Sequence, residues 1–499
     1  MENSNFLGLL TLAVFLPTFG ALLIVVPVIS RRYIKHVALS FVTAELLITG
    51  IIFIRYYLNR DAGLQMVDRL SWIPINSFPV EYFLGVDGLS APMVLLTGIL
   101  GFVAIFASWN ITHRIREHFA WLLILQTGVL GVFTSLDFFL FFLFWELELI
   151  PMFFLIAIWG SGRKEYSAMK FLIFTLAGSA AMVVGILVLM ASTNTLDMTQ
   201  LPEKIQGAQL LVPSVVVCSL LFLGFAVKLP VWPLHTWLPD AHTDAPTAAS
   251  VMLAGVLLKM GAYGIFRVCL SMFPDVALSF AWVIGTLGVV NIIYGAIITF
   301  NQTDLKRLVA FSSISHMGFV LVGISSVGGF ASTIGLTGAA LQMFTHGTIT
   351  GLLFLIVGMV YEKTHTRYIP DLGGLATRMP IAALTLVIAG FASLGLPGTS
   401  GFVAEIAVFL GAFANLPWHT GVAAFGIVLS AGYILWMIQR TMFGPLKDRF
   451  ITISDVGKLE LIPIVLLLFT IVGVGIFPFF INDVLITGIS PIIESLQGL

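Results

Sequence analysis

The sequence predicts an all-α, polytopic membrane protein, and three observations support this fold class. Hydrophobic residues make up 59% of the 499 residues, and the mean hydropathy is +1.04. Charged residues make up only 10%, whereas a soluble domain carries roughly a quarter. Apolar segments of roughly 20 residues, the length that crosses a bilayer as a helix, follow one another along the chain. Nearly every residue therefore belongs to a membrane span or to a short connection.

These segments predict fourteen transmembrane helices, which we number as spans 1 to 14. The spans cover residues 6–29, 36–56, 84–108, 117–135, 137–159, 166–192, 209–230, 247–271, 277–299, 304–324, 331–359, 379–414, 418–440 and 460–481. Span 12 is too long for one straight crossing, so we predict that it is broken. Residues 1–10 lack the basic segment of a cleaved signal peptide, so we expect span 1 to be retained.

The distribution of basic residues predicts the orientation of these spans. Seventeen of the 24 Lys and Arg residues fall in odd-numbered connections or in the span ends next to them, and only five fall in or next to even-numbered ones. Cytoplasmic connections carry an excess of Lys and Arg. The odd connections therefore face the cytoplasm, and both termini are expected on the outer face.

A faint internal duplication predicts two inverted repeats. The run Gly-Phe-Ala at 224–226 precedes Leu-Pro at 229–230, and the same run at 390–392 precedes Leu-Pro at 396–397. Pro and Gly inside an apolar span interrupt the helix, which predicts that spans 7 and 12 are both broken. An offset of five spans inverts the second copy, and paired broken helices of this kind mark the ion sites of transporters.

The repeats divide the chain into four predicted domains. Spans 1 to 3 form the N-terminal domain, spans 4–8 and 9–13 form the two five-helix repeats, and span 14 with the tail ends the chain. The corresponding boundaries are residues 1–110, 111–272, 273–445 and 446–499.

Ionisable side chains near the centres of four spans point to function. A charge at the bilayer centre costs about 3 kcal/mol on insertion scales, so such residues usually face a polar interior. Both signs are present, which predicts a proton or ion path with several titratable stations. The four residues are Glu146, Lys228, Lys259 and Glu405.

Two histidines extend this predicted path. His316 in span 10 and His346 in span 11 lie between Lys259 and Glu405 in span order. Histidine, and lysine removed from water, can exchange protons near neutral pH. We expect Glu146 to stabilise the protonated form of a lysine, so withdrawing it would favour proton release.

Structural interpretations of these residues stay open. Glu146 and Lys228 could form a static ion pair that only fixes helix packing, although burying two charges rarely gains stability. Glu148 lies on another helix face and could be a second station or meet a neighbouring subunit. His316 and His346 could be structural imidazoles bonded to nearby hydroxyls.

The break in span 7 also carries polar residues with two interpretations. They could form an ion exit route, or they could satisfy exposed backbone groups, and the sequence favours the second interpretation. The residues are His235, Asp240, His242 and Asp244.

Motifs for other chemistry are absent. The sequence has no GxxxxGK[ST], HExxH, CxxC or CxxCH. Cys218 and Cys269 lie in or beside apolar spans and predict neither a disulfide nor a metal site. The net charge of −1 gives no basic patch for nucleic acid. We therefore expect no cofactor or metal in this chain, and an energy source in another subunit or in an ion gradient.

Several segments resemble the antiporter-like membrane subunits of proton-pumping NADH:quinone oxidoreductase, respiratory complex I. They are WELELIPMFFLIAIWG at 145–160, the run from 227 to 264, LVAFSSISHMGFV at 308–320, LPGTSGFVAEIAVF at 396–409 and GVDGLS at 85–90. Within that family, the ELELIP run favours the chain M type of bacteria, which is subunit 4 in mitochondria.

The resemblance implies about fourteen helices in two inverted five-helix repeats, next to sister antiporter-like subunits in a membrane arm. It implies that FMN, iron–sulfur clusters and quinone belong to partner subunits. It also implies key roles for the positions that match Glu146, Lys228, Lys259, His316, His346 and Glu405.

The leading hypothesis is a proton-translocating subunit in the bacterial inner membrane, driven by redox energy from other subunits. The alternatives are a chain of a multi-subunit sodium/proton antiporter and a chain of an ion-pumping membrane hydrogenase. The intramembrane charges argue against a scaffold without transport activity. The electron donor, the quinone type and the proton stoichiometry stay open.

Overall fold

The structure, a computed structural model, describes residues 8–27, 29–75 and 78–498. Its first part contains α1 (Leu9–Val25), α2 (Ile34–Leu58), strands β1 (Gln65–Ile75) and β2 (Phe78–Val86), α3 (Ser90–Ala107), α4 (Ile115–Thr134), α5 (Phe138–Leu147), α6 (Leu149–Trp159) and α7 (Lys164–Thr193). The middle contains α8 (Leu201–Gly207), α9 (Ser214–Lys228), α10 (Trp237–Asp244), α11 (Thr247–Met252), α12 (Leu258–Gly264), α13 (Pro274–Phe300), α14 (Leu305–Ile324) and α15 (Ser332–Thr364). The last part contains α16 (Pro380–Ser393), α17 (Ser400–Phe413), α18 (Pro417–Met442), α19 (Lys458–Ile476) and α20 (Phe479–Gln497).

The predicted helical membrane fold is confirmed. Within the described ranges, twelve helical segments are long and apolar enough to cross a membrane. Helices α1, α9, α16 and α17 are also apolar but shorter. The number of crossings and the two inverted repeats stay predictions, because helix length and composition do not fix them.

Spans 7 and 12 are broken as predicted. Residues 229–236 separate α9 from α10, and residues 394–399 separate α16 from α17. Proline lacks the backbone N–H that continues a helix, and the first break contains Pro230 and Pro233. In the second break, Gly395 and Gly398 have φ of +79° and +90°, a conformation that glycine adopts without steric cost.

Two further irregularities were not predicted. Span 5 is interrupted at Glu148, between α5 and α6. Span 8 contains two π-helical stretches, Leu253–Leu257 and Ile265–Leu270, on either side of α12. Stretches of π-helix occur often at functional sites, and both irregularities carry an ionisable residue of the site described below.

Three helical segments form the centre of the protein. The most apolar parts of Thr247–Leu270 and α15 are completely buried, and that of α14 is buried almost entirely. A helix that is apolar on all sides belongs in such an interior. Helices α2, α7, α13, α18 and α19 bury one face and expose the other, so they lie at the periphery. The central segments carry Lys259, His316 and His346.

Glycines allow the central helices to approach closely. A Cβ on Gly288 of α13 would lie 2.9 Å from the carbonyl oxygen of Gly318 on α14. Small residues at helix–helix contacts are typical of membrane proteins. These contacts hold the buried helices near the centre of the protein.

Two elements outside the predicted spans cover one end of the bundle. Strands β1 and β2 form an antiparallel hairpin between α2 and α3, and Arg69 on β1 pairs with Asp197 at 2.8 Å. Helix α20, which forms most of the segment that we predicted as the C-terminal tail, contacts the end of α2 through the Tyr56 and Thr487 hydroxyls at 3.2 Å. Val484 and Gly488 of α20 also meet Gly88, just before α3.

Candidate functional site

The first part of the site is a buried ion pair between α6 and α9. The Lys228 ammonium donates a hydrogen bond to Oε1 of Glu148, and the two residues are 1% and 0% exposed. The ammonium also lies 4.4 Å from the centre of the Trp145 ring, an attractive cation–π contact. Lys228 is the last residue of α9, where the negative end of the helix dipole favours a cation.

This pairing corrects one prediction. We expected Glu146 to be the partner of Lys228, but the structure gives that role to Glu148. Residues two positions apart point about 200° apart around a helix, and the interruption at Glu148 turns its side chain inward. Glu146 is only partly buried, and its Oε1 has no hydrogen-bond partner.

Lys259 lies in α12, between the two π-helical stretches. It is fully buried, and its ammonium donates to the carbonyl oxygen of Ala254. Its Nζ lies 2.8 Å from Nδ1 of His346. The irregular helix thus places a backbone acceptor and an imidazole against one lysine.

His346 leads to His316 and Glu405. The rings of the two histidines are 5.8 Å apart, and Nδ1 of His316 lies 3.3 Å from Oε1 of Glu405. The opposite ring nitrogen, Nε2 of His316, lies 3.0 Å from the hydroxyl of Ser393. Lys259, His346, His316 and Glu405, which we call the central row, are each at most 3% exposed.

The broken span 12 positions the end of the central row. Ser393 is the last residue of α16, and Glu405 follows the break on α17. A Cβ on Gly395, within the break, would lie 2.9 Å from Oε2 of Glu405. A larger residue at Gly395 would therefore press on the carboxyl group.

The Glu148–Lys228 pair adjoins the central row where α12 packs against α9. A Cβ on Gly261 of α12 would lie 2.7 Å from the backbone nitrogen of Leu229. Leu229 follows Lys228, and Gly261 lies two residues after Lys259. Five of the six residues predicted from the sequence thus belong to one region, and Glu146 lies at its margin.

Two of the polar residues that we assigned to the first break, His242 and Asp240, lie in α10 and do not bond to exposed backbone groups. His242 is fully buried, its ring is stacked on Phe354 at 4.6 Å, and neither ring nitrogen has a hydrogen-bond partner. The interpretation that His242 satisfies exposed backbone groups is therefore wrong. Asp240 pairs with Lys170 at 2.7 Å and with Arg307 at 3.1 Å.

Two buried ionisable residues were missed in the sequence. Lys306, 3% exposed, donates to the carbonyl oxygen of Ala245, and Glu45 on α2 is fully buried. Glu45 lies near the centre of span 2, so the criterion that selected Lys259 would also have selected it, whereas Lys306 lies at the start of span 10. Cys218 and Cys269 are buried free thiols. Within the described ranges, no group of three or more His, Cys, Asp or Glu side chains is arranged to hold a metal ion.

Comparisons with known proteins agree with this architecture. The family model described as NADH:quinone oxidoreductase/Mrp antiporter, TM, matches residues 135–430. NAD(P)H-quinone oxidoreductase chain 4 1 of Synechococcus sp. (strain JA-2-3B'a(2-13)) is 41% identical over 486 residues, which cover 95% of this chain and 89% of that protein. NADH-quinone oxidoreductase subunit M of Rhodobacter capsulatus is 38% identical over 506 residues, with 98% and 97% covered.

A solved structure shows the same fold over nearly the whole length. A chain of respiratory complex I from Thermus thermophilus superposes with a TM-score of 0.87 at 26% identity, covering 98% of this chain and 99% of that chain. The matched family region includes the Glu148–Lys228 pair and the whole central row. The chain therefore belongs to the NADH:quinone oxidoreductase/Mrp antiporter family of membrane subunits.

Proposed function

We propose that this chain is a proton-translocating membrane subunit of an NADH:quinone oxidoreductase. The observation that carries the proposal is the central row, in which ionisable side chains follow one another through the most buried helices. Such residues inside a membrane protein mark proton relays and ion pathways. The names of the relatives from Synechococcus sp. and Rhodobacter capsulatus support the same enzyme.

The Glu148–Lys228 pair supplies a switch. The carboxylate stabilises the protonated form of Lys228, and the Trp145 ring adds to this effect. Removing one partner of a buried ion pair costs about 3–5 kcal/mol. Moving a proton against ~150 mV requires roughly 3.5 kcal/mol, at about 2.3 kcal/mol per 100 mV. The free-energy change on separating Glu148 from Lys228 is therefore large enough to drive the release of a proton against the membrane potential.

Two of the three proton transfers in the central row are short. Lys259 can transfer a proton to Nδ1 of His346, 2.8 Å away. An imidazole accepts a proton on one nitrogen and donates from the other, and Nε2 of His346 has no hydrogen-bond partner among the described residues. Transfer from His346 to His316, whose ring centres are 5.8 Å apart, requires a bridging water molecule. His316 then reaches Glu405, whose Oε1 lies 3.3 Å from its Nδ1.

The energy for these steps comes from outside the chain in this proposal. FMN, iron–sulfur clusters and quinone belong to partner subunits, and electron transfer there displaces charge next to the Glu148–Lys228 pair. The neighbours in the membrane arm include sister antiporter-like subunits.

We place the complex in the bacterial inner membrane with both termini outside. Lys170 and Arg307 are next to two different odd connections, and both pair with Asp240. This shared partner supports the proposal that the odd connections lie on one side of the membrane.

A sodium/proton antiporter subunit is the second candidate. The family model itself covers both quinone oxidoreductases and Mrp antiporters. The two functions differ in their driving force, because an antiporter needs a sodium gradient and no electron donor. The ion-pumping hydrogenase alternative has no comparable support here.

The experiment uses the assembled complex in inverted membrane vesicles. NADH-driven acidification is followed with a pH-sensitive dye in the parent and in Lys259→Met, and assembly is checked on native gels. We expect Lys259→Met to assemble and to lose acidification. Lys204→Met, at an exposed lysine of α8, is the matched control and should pump like the parent. Normal pumping in Lys259→Met would contradict the proposal, and acidification that requires sodium without NADH would support the antiporter.

A further inference from the structure

A buried acid in the N-terminal helices has no role in the path described so far. Glu45 is the twelfth residue of the 25-residue helix α2, which places it near the centre of the span. It is fully buried, and neither carboxyl oxygen makes a hydrogen bond of normal geometry. The opposite face of α2 is exposed and apolar at Leu47, Ile51 and Ile54. An acid on this peripheral helix is costly in a membrane, so its presence requires an explanation.

Polar side chains and glycines surround the Glu45 carboxyl. The Gln126 side chain on α4 is its polar neighbour, although the two do not form a hydrogen bond of normal geometry. Helix α3 has glycines at its contacts with two polar side chains. A Cβ on Gly101 would collide with the Gln126 amide of α4, and a Cβ on Gly98 would collide with the Thr49 hydroxyl of α2. The packing of α2, α3 and α4 thus leaves room for a polar group at this depth.

The surroundings show which form of the acid is stable. Within the described part of the chain, no cationic side chain is paired with Glu45. An ionised carboxylate without a counter-charge in a low-dielectric interior is so unfavourable that the group takes up a proton instead. Glu45 is therefore neutral and holds a proton in the resting structure.

Helix α4 connects Glu45 to the Glu148–Lys228 pair. Gln126 and Gly128 are two positions apart, so they face opposite sides of α4, about 200° apart. A Cβ on Gly128 would lie 3.1 Å from Cβ of Glu148. Thr127, between them, bonds to the hydroxyl of Thr18 on α1 at 2.8 Å. Glu45 and Glu148 thus lie next to opposite faces of the same helix, α4.

We propose that Glu45 is a further proton-holding residue, which exchanges its proton with the Glu148–Lys228 pair across α4. The proton leaves the carboxylic acid when the pair accepts one, and it returns when the pair is reset, so no electrons are transferred. This inference rests on the proposed function, because it adds a residue to that proton path.

The test combines pumping with infrared spectroscopy on the complete complex. Glu45→Gln removes the titratable group but keeps the size and polarity of the side chain beside Gln126. We expect at least about a tenfold loss of NADH-driven pumping in assembled Glu45→Gln, the size of a 1.4 kcal/mol barrier. Glu45→Asp should keep part of the pumping. The NADH-induced infrared difference spectrum should contain a carbonyl-stretch change of a protonated carboxylic acid that is lost in Glu45→Gln.

Two controls separate the possible outcomes. Gln126→Leu removes the polar neighbour without removing an acid, so it should keep the carbonyl-stretch change. Lys228→Met, measured in parallel, tests the path itself. If Lys228→Met abolishes pumping while Glu45→Gln pumps like the parent, the inference about Glu45 is wrong and the proposed function stands. If Lys228→Met also pumps normally, the proposed function fails as well. An unchanged infrared difference spectrum in Glu45→Gln would identify Glu45 as a packing residue.

Discussion

The pairing of Lys228 with Glu148 can be tested against its nearby alternative, Glu146. The perturbation is a double-mutant cycle with Glu148→Gln and Lys228→Met, and a matched cycle with Glu146→Gln and Lys228→Met. Gln keeps the size of the acid and removes its charge. The two acids are on the same segment, two residues apart, so each cycle controls for local disturbance in the other.

The magnitude follows from burial. Lys228 and Glu148 are 1% and 0% exposed, so removing either partner leaves a buried charge at a cost of about 3–5 kcal/mol. If that cost falls on the transfer step, turnover drops by roughly a hundredfold or more. The double mutant leaves no charge unpaired, so its loss should be much smaller than the sum of the single losses. We expect a coupling energy above about 2 kcal/mol for this pair.

Glu146 should behave differently in its own cycle. It makes no hydrogen bond to Lys228, and its Oε1 has no hydrogen-bond partner. Glu146→Gln can reduce pumping, since Glu146 lies beside Glu148, but its effect should add to that of Lys228→Met within about 0.5 kcal/mol. The assay is the initial rate of NADH-driven acidification per assembled complex in inverted vesicles. Strong coupling of Lys228 to Glu146, with none to Glu148, would refute the reasoning.

Three further predictions follow from the structure. Glu405→Gln should lose pumping in inverted vesicles, whereas Glu405→Asp should keep part of it, because a shorter acid can still titrate near His316. If Glu405→Gln pumps like the parent, the proton path does not leave the protein through the second repeat. A reporter fused after Leu499 should be outside and one inserted near Arg163 in the cytoplasm, and a cytoplasmic C-terminus would refute the inverted-repeat prediction. Burial raises the pKa of Asp137, just before α5, from 3.8 to about 6, so the folded chain binds this proton more tightly than the unfolded chain. The free energy of unfolding should therefore fall by up to about 3 kcal/mol as pH rises from about 4 to 6. Asp137→Asn, which can still cap α5, should flatten this dependence of Tm on pH in detergent; an unchanged slope would contradict it.

Hydrophobic pattern and helix breakers were enough to predict the spans and both breaks. Each depends on local sequence: about 20 apolar residues for a span, and Pro or Gly for a break. The interruption at Glu148 was also visible in the sequence, because Pro151 lacks the N–H that would bond to the carbonyl group of Leu147, and its ring clashes with that group. The π-helical stretches around Lys259 could not be predicted in this way, because they depend on contacts with distant parts of the chain, such as that between Lys259 and His346.

The site was predictable in its members but not in its pairing. An ionisable residue inside an apolar span is visible in the sequence, which is why Lys228, Lys259 and Glu405 were found. The choice between Glu146 and Glu148 depends on the rotation of the helix about its axis. The sequence does not determine this rotation, because the segment is apolar on every side and the two acids lie on different faces. Helix α20 was missed for a related reason, because its polar residues resemble a tail.

The positions of the lysines explain why the irregular helices and the site coincide. A regular helix uses its carbonyl groups internally, so it offers no backbone acceptor to a buried ammonium group. Lys259 uses the carbonyl oxygen of Ala254 within a π-helical stretch. Lys228 ends α9 and pairs with Glu148, which lies at the interruption between α5 and α6. Irregular backbone is tolerated in a membrane only where protein or water satisfies it. The proposed switch between paired and unpaired Lys228 therefore acts at a helix interruption.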